Sequence, residues 1–235
     1  MGREVTVVSA PPALTAPAAE WLAGAITAAI LERGACALAL AGGRTPEPVY
    51  RMLAGMPKLD WSRVDVFFGD ERGVPPGDPE SNYGMARAAL LARVPVPQDR
   101  VHRMEAERPD RDAAARAYDR ALPTALDVLV LGVGPDGHTA SLFPGSAALD
   151  ERRRRVLPVS GPKPPAARLT ITPPVIEAAR RIVVLAAGAD KAAAVARALE
   201  GPISPKDTPA QLARRGVWFL DRAAAARLAG SEVRA

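Results

Sequence analysis

Only two histidines occur in the 235 residues, His102 and His138, and their surroundings differ. His138 follows an apolar run, Val128-Leu129-Val130-Leu131, and three glycines, Gly132, Gly134 and Gly137. An unperturbed imidazole titrates near ~6.5, so at neutral pH it can take a proton from water without help from a metal. His102 lies in the polar segment 98–104 and reads as structural. Two further segments could do chemistry. Gly42-Gly43-Arg44-Thr45 sits between an apolar run and a helix start. Glycines let the backbone approach a ligand, and a helix N-terminus offers unpaired N–H groups and partial positive charge. With Arg44 and the Thr45 hydroxyl added, the segment predicts a phosphate cradle. Asp70-Glu71-Arg72 ends another apolar run. Its carboxylates could orient a base or bind sugar hydroxyls, and its guanidinium could stabilise an oxyanion. In isolation the same triplet could be an ion-paired loop.

Several chemistries are excluded by spacing. Residues 132–137 match G-x-G-x-x-G after a strand, the dinucleotide pattern. Pro135 removes a donor from the turn that should cradle pyrophosphate, Pro144 curtails the helix, and the expected ribose-binding acid falls among arginines. Residues 42–46 lack the Gly-Lys-Ser/Thr ending of a Walker loop, and no G-x-S-x-G elbow accompanies a serine nucleophile. No His-x-x-x-His or cysteine cluster suggests a metal, so neither metal nor cofactor is expected. Ser141, three positions after His138, reads as a residue on a helix face rather than a nucleophile.

The elements that must position these groups alternate along the chain. Valine-rich residues 4–9, apolar 35–41, 64–69, 128–131, 168–172, 181–187 and 217–220 read as strands. Residues 13–32, 46–53, 82–92, 110–122 and 192–199 read as helices, with short ones after Pro173 and Asp221 and under His138. Gly34 suits a helix stop, Thr45 an N-cap before Pro46, and Ser81 or Asn82 another cap. Alternation of this kind implies an α/β fold: three layers, α/β/α, around a mainly parallel, Rossmann-like sheet, in one domain over 1–235.

Hydrophobic residues make up 48% and charged residues 24%, as in an ordinary globular chain, and the net charge of +5 favours anionic partners. Arg152–Arg155 is a basic cluster, but with aromatics at 4% and none interleaved it reads as a solvated connection, so no nucleic-acid partner is expected. Cys36, the single cysteine, reads as a small core residue. The N-terminus lacks the pattern of a secretion signal, and no apolar stretch is expected to span a bilayer. A cytoplasmic protein with no membrane partner is the resulting expectation.

Ala-Gly-Gly-Arg-Thr-Pro (41–46), Phe-Gly-Asp-Glu-Arg (68–72) with Ser-Asn-Tyr (81–83), and Gly-Val-Gly-Pro-Asp-Gly-His-Thr-Ala-Ser-Leu-Phe-Pro (132–144) together resemble the 6-phosphogluconolactonase family. Arg168-Leu-Thr and Gly188-Ala-Asp-Lys191 continue the likeness over nearly the whole chain. The resemblance implies a fold shared with glucosamine-6-phosphate deaminases and, more distantly, ribose-5-phosphate isomerases. It implies hydrolysis of a small anionic sugar-phosphate lactone, 6-phospho-D-glucono-1,5-lactone, by a monomer. His138 would be the base that activates water, Asp70 would orient it or bind hydroxyls, and Arg72 would hold the substrate and its oxyanion. Gly42, Gly43, Arg44, Thr45, Asn82, Asp136, Arg168 and Lys191 would line the substrate and phosphate site, and either Asp70 or Asp136 would orient the imidazole. The chain departs from the family at Ala41, where serine is common, and at Pro209-Ala210-Gln211-Leu212, where Pro-Ala-Ser is common.

Two rivals remain. A glucosamine-6-phosphate deaminase would share the cradle and the histidine loop. It would need an acidic base, and here Arg72 and Ser141-Leu142-Phe143-Pro144 stand where deaminases carry an aromatic residue and a catalytic glutamate. A non-catalytic sugar-phosphate sensor would need no positioned histidine beside an acid–arginine triplet.

Overall fold

The computed structural model describes residues 4–229. The expectation of one domain over 1–235 and the reading of the N-terminus thus extend, at 1–3 and 230–235, outside the described residues. In chain order the elements are β1 (Glu4–Val8), α1 (Pro11–Arg33), β2 (Cys36–Leu40), α2 (Pro46–Ala54), β3 (Val64–Phe68), β4 (Asp70–Arg72) and α3 (Asn82–Ala86). There follow α4 (Arg111–Ala121), β5 (Val128–Gly132), β6 (Val156–Ser160), β7 (Ala167–Ile171), α5 (Pro173–Ala178), β8 (Arg181–Ala186), α6 (Ala192–Leu199), β9 (Val217–Asp221) and α7 (Arg222–Ala225).

Local chemistry sets the helix ends. Gly34, at φ +82°, closes α1 by donating its N–H to the Ile30 carbonyl at 2.8 Å. Ser81 caps α3, Asp110 caps α4 and Asp221 caps α7, each side chain accepting a backbone N–H two or three residues into its helix. Thr45 departs from expectation. It precedes Pro46 as an N-cap should, but its backbone is already helical and its side chain makes no capping bond.

A six-stranded sheet runs β1-β9-β8-β5-β2-β3, every pair parallel. All of Val128–Leu131 in β5 is buried, and because successive side chains point to opposite faces, both faces of the sheet centre must be covered. From β2 the chain moves outward to β3, then returns to the other side of β2 for β5, β8 and β9. The switch point lies between β2 and β5, where open α/β sheets place their ligands. Two buried tyrosines pin the neighbouring strand ends: Tyr50 donates to the Ala41 carbonyl and accepts the Ala41 N–H, and Tyr118 does the same for Phe68. Burial pushes both phenols far up, so they remain protonated donors.

A second sheet, antiparallel and ordered β4-β7-β6, was not anticipated. Asp70-Glu71-Arg72 is therefore not merely a strand end. Gly69 breaks the chain away from β3 and its carbonyl accepts the Ile171 N–H at 2.9 Å, which hangs the small sheet beside the large one.

Helix α1 corrects a second expectation. At 23 residues and a mean hydropathy of 1.4 it is long and apolar enough to cross a membrane, because its many alanines count as apolar. In this fold Leu14, Leu22 and Ile26 of that helix are buried in the core. Arg152–Arg155 is not simply solvated: Arg154 pairs with Asp112, and Arg155 pairs with Asp119 and donates to the Leu122 and Pro123 carbonyls. Cys36 is buried as expected, and desolvation pushes its thiol up to about 12.

Candidate active site

A cavity of about 790 Å³ opens at the switch point. The segments leaving β2, β5 and β8 line it, together with β4, β7 and the first turn of α1. It brings Gly42, Gly43, Arg44, Thr45, Asp70, Arg72, Asn82, His138, Arg168 and Lys191 together. Of the residues expected at the site, only Asp136 is absent from that lining, and it stands directly behind His138.

His138 does not ride on a helix. Residues 133–143 form turns, with Gly137 at φ +97° and Ala140 at φ +48°. Left-handed residues interrupt a right-handed helix, and the Thr139 hydroxyl donates to the Gly132 carbonyl at 2.9 Å instead of staying on a helix face. The result aims the imidazole across the end of β5. Its Nδ1 lies 2.6 Å from Oδ1 of Asp136, which also accepts the His138 N–H at 3.1 Å. Burial pushes the Asp136 carboxyl up, but the His138 N–H, the ring and its charge outweigh this and hold it below the ordinary carboxylate range. A carboxylate at Nδ1 fixes the proton there and leaves Nε2 as the basic nitrogen. The loop is close-fitting: a Cβ on Gly134 would lie 2.0 Å from Nδ1.

Asp70 does not orient the imidazole. Its Oδ2 accepts the Ser141 hydroxyl at 2.5 Å, and its Oδ1 accepts the Asn82 amide at 3.0 Å. Asn82 Oδ1 is buried without a hydrogen-bond partner among the described residues and leaves no room for a Cβ on Gly42. Gly42 thus accommodates a neighbouring side chain rather than a ligand. Glu71 points the other way, accepting N–H groups from Arg72, Asn82 and Tyr83 and the Ser81 hydroxyl, so it secures the segment before α3. Burial still pushes its carboxyl up, against the pull of those hydrogen bonds.

Arg72 and Arg168 are register partners across β4 and β7. Like charges directly opposite repel, and carboxylates offset this here: Arg72 meets Glu80 at 3.7 Å and donates to its carbonyl, and Asp70 and Glu80 favour the charged Arg168. The Nε of each is buried and has no hydrogen-bond partner among the described residues. Burial lowers the Arg168 guanidinium from its usual range, Asp70 pulls the other way, and the group stays charged at neutral pH. Phe143 joins this clamp to the histidine, its ring 4.8 Å from the His138 ring and 5.7 Å below the Arg168 guanidinium. On the cradle side Arg44 is exposed and has no ion-pair partner among the described residues, while Lys191 pairs with Asp190 at 3.0 Å.

Sequence reasoning missed Thr15, which lines the cavity at the start of α1, Phe143 beside the His138 ring, and the bond from Ser141 to Asp70. It also left Pro209–Leu212 without a task. There the Ala210 N–H donates to the Gly137 carbonyl at 2.9 Å, bracing the histidine turn, and Gln211 ties the adjoining loop to Arg197 and Pro202 carbonyls. Backbone donors leave no residue-type signal, so only the fold reveals that contact. His102 is structural as expected, stacked on Phe67 and bonded to Asp65 far from the cavity lining.

Residues 9–219 match the family model of glucosamine-6-phosphate isomerases/6-phosphogluconolactonase. The chain belongs to that family. A 6-phosphogluconolactonase of Streptomyces coelicolor is 46% identical over 218 residues, covering 83% of each chain. The structure of 6-phosphogluconolactonase from Trypanosoma brucei superposes with a TM-score of 0.84 at 31% identity, covering 97% of this chain and 99% of that one. A monomeric glucosamine-6-phosphate deaminase also gives 0.84, at 26% identity over 95% of this chain and 99% of that one. Backbone likeness therefore does not separate lactonase from deaminase. The side chains in the cavity must.

Proposed function

We propose that this chain hydrolyses 6-phospho-D-glucono-1,5-lactone to 6-phospho-D-gluconate, the second step of the oxidative pentose phosphate pathway. The observation that carries this reading is one cavity holding a carboxylate-paired imidazole and two facing arginines. His138 Nε2 takes a proton from water as the water oxygen bonds to the lactone carbonyl carbon. Negative charge gathers on the carbonyl oxygen, and Arg72 stabilises it. Collapse of that intermediate breaks the bond to the ring oxygen, which receives the proton from the imidazolium, and the resulting carboxylic acid releases its proton to solvent to give the open-chain carboxylate. Asp136 holds the ring and balances its charge between the two transfers. Gly43, Arg44, Thr45, Arg168 and Lys191 bind the phosphate, and Asn82 and Asp70 order the sugar hydroxyls.

Proton abstraction in the manner of a deaminase requires an available carboxylate base. The 6-phosphogluconolactonase relative at 46% identity, against 26% for the deaminase structure, supports hydrolysis over isomerisation. A monomer is taken as the acting unit, and the place of the reaction in sugar metabolism supports a cytoplasmic site of action. The test is a dehydrogenase-coupled assay on freshly made lactone, corrected for spontaneous opening. Turnover well above that background is expected. Ammonia release from glucosamine 6-phosphate with no lactonase activity would overturn the reading.

A further inference from the structure

We propose that Ser141 is a positioning residue that holds the histidine turn and the arginine pair at a fixed separation; this rests on the hydrolytic reading above. The imidazole and the guanidinium groups come from different sheets. His138 follows β5 of the large sheet, whereas Arg72 and Arg168 stand on the small one. Side chains alternate along a strand, so Asp70 and Arg72 share one face of β4, and Arg168 and Thr170 share one face of β7. Asp70 pairs in register with Thr170, and Arg72 with Arg168. These four residues form a square on the face turned toward the histidine loop.

Ser141 is bonded to the far side of that square twice. Its hydroxyl donates to Asp70 Oδ2 at 2.5 Å, and its N–H donates to Thr170 Oγ1 at 3.1 Å. Thr170 Oγ1 in turn donates to the Ile171 carbonyl at 3.0 Å. Ser141 and Thr170 are both fully buried, so water cannot replace either bond cheaply. Ser141 lies three positions after His138, and a turn with Ala140 at φ +48° lies between them. A non-glycine residue held there needs a firm attachment on either side. Ala210 braces the turn at Gly137, and Ser141 braces it at the other end. Bond-making between water and a carbonyl held elsewhere is sensitive to displacements of about 1 Å, which can cost on the order of 10²-fold in rate.

The test compares Ser141→Ala and Thr170→Val with wild type by steady-state kinetics, product binding and imidazole NMR. Ser141→Ala should lower kcat by about 10- to 100-fold while the Kd for 6-phosphogluconate stays within about threefold, since the arginines that grip it are intact. The two histidines give two sets of ring signals. Those of His138 should shift or broaden, and those of His102 should not. Thr170→Val, which removes the acceptor of the Ser141 N–H together with the hydroxyl's own bond to the Ile171 carbonyl but leaves the Ser141–Asp70 bond, should act in the same direction more weakly and carries the test if Ser141→Ala does not fold. A folded Ser141→Ala, or failing that a folded Thr170→Val, with unchanged His138 signals and kcat within twofold of wild type overturns the proposal. If wild type itself opens no lactone, the hydrolytic reading fails, while the ring signals still report whether Ser141 positions the histidine.

Discussion

Arg72 and Arg168 face each other across two antiparallel strands, each with a buried Nε that no described residue satisfies. Two guanidinium groups at that spacing repel, and the fold holds them there. A bound anion beside the two guanidinium groups would add to the compensation that Glu80 and Asp70 already give, so the site should be most stable when occupied. Arg168→Met keeps an aliphatic stem and removes the guanidinium that lies over the Phe143 ring. A hydrogen bond to a charged group is worth about 1.5–3 kcal/mol, which corresponds to roughly 10- to 100-fold in binding. KM for the lactone should rise by about that factor with a smaller change in kcat, and a given concentration of 6-phosphogluconate should raise Tm less than in wild type. Equal stabilisation of variant and wild type by product would remove Arg168 from the anion site.

Replacing the imidazole tests the other half of the cavity. His138→Ala should lower kcat by about 10²–10⁴-fold, the range for loss of a general base. KM should change little, since neither guanidinium is disturbed. The measurement is initial rate after subtraction of spontaneous ring opening. Near wild-type turnover would assign the base elsewhere.

Asp136 carries a pH signature. Burial raises its carboxyl, yet contacts with His138 bring the net direction below the ordinary range. A carboxylate with a lowered folded pKa contributes stability above its unfolded pKa, near ~3.9, and that contribution is lost as pH falls through the folded value. Asp136→Asn should therefore be less stable than wild type at neutral pH, with the deficit shrinking on acidification below about pH 4. Urea unfolding at a series of pH values reads this directly. A deficit that grows toward low pH would contradict the pairing.

Much of this was legible from residue order because strands buried on both faces read as unbroken apolar runs, as in Val128–Leu131 and Arg181–Ala186. The chemistry-bearing turns followed those runs, so their gathering at one sheet edge was readable too. The small sheet was not. Asp70-Glu71-Arg72 is three residues long, and nothing local shows that it pairs with Ala167–Ile171 almost a hundred positions away. The short helix expected under His138 failed for a related reason. Pattern alone offered Ser141 to a helix face, whereas its long-range bond to Asp70 and the left-handed Ala140 made a turn the better arrangement. Choosing between Asp70 and Asp136 as the partner of the imidazole likewise needed distances, since only Asp136 is hydrogen-bonded to the ring while Asp70 is held by Asn82 and Ser141.

The fit of the histidine turn yields the last prediction. Gly134 is not in the left-handed region, so an alanine there meets no backbone penalty of that kind. Its methyl would nevertheless sit 2.0 Å from Nδ1 and 2.2 Å from Cε1 of His138, and 2.6 Å from Oδ1 of Asp136. Those atoms belong to a ring and a carboxylate bonded to each other, so they cannot swing aside separately. Gly134→Ala should displace the pair, lowering kcat by about 10²-fold or more, within the range for loss of the base itself, while circular dichroism and Tm stay close to wild type. The variant thus removes the base without changing its residue type. If kcat were unaffected while His138→Ala was inactive, the imidazole would have to work from a position other than the one against Asp136.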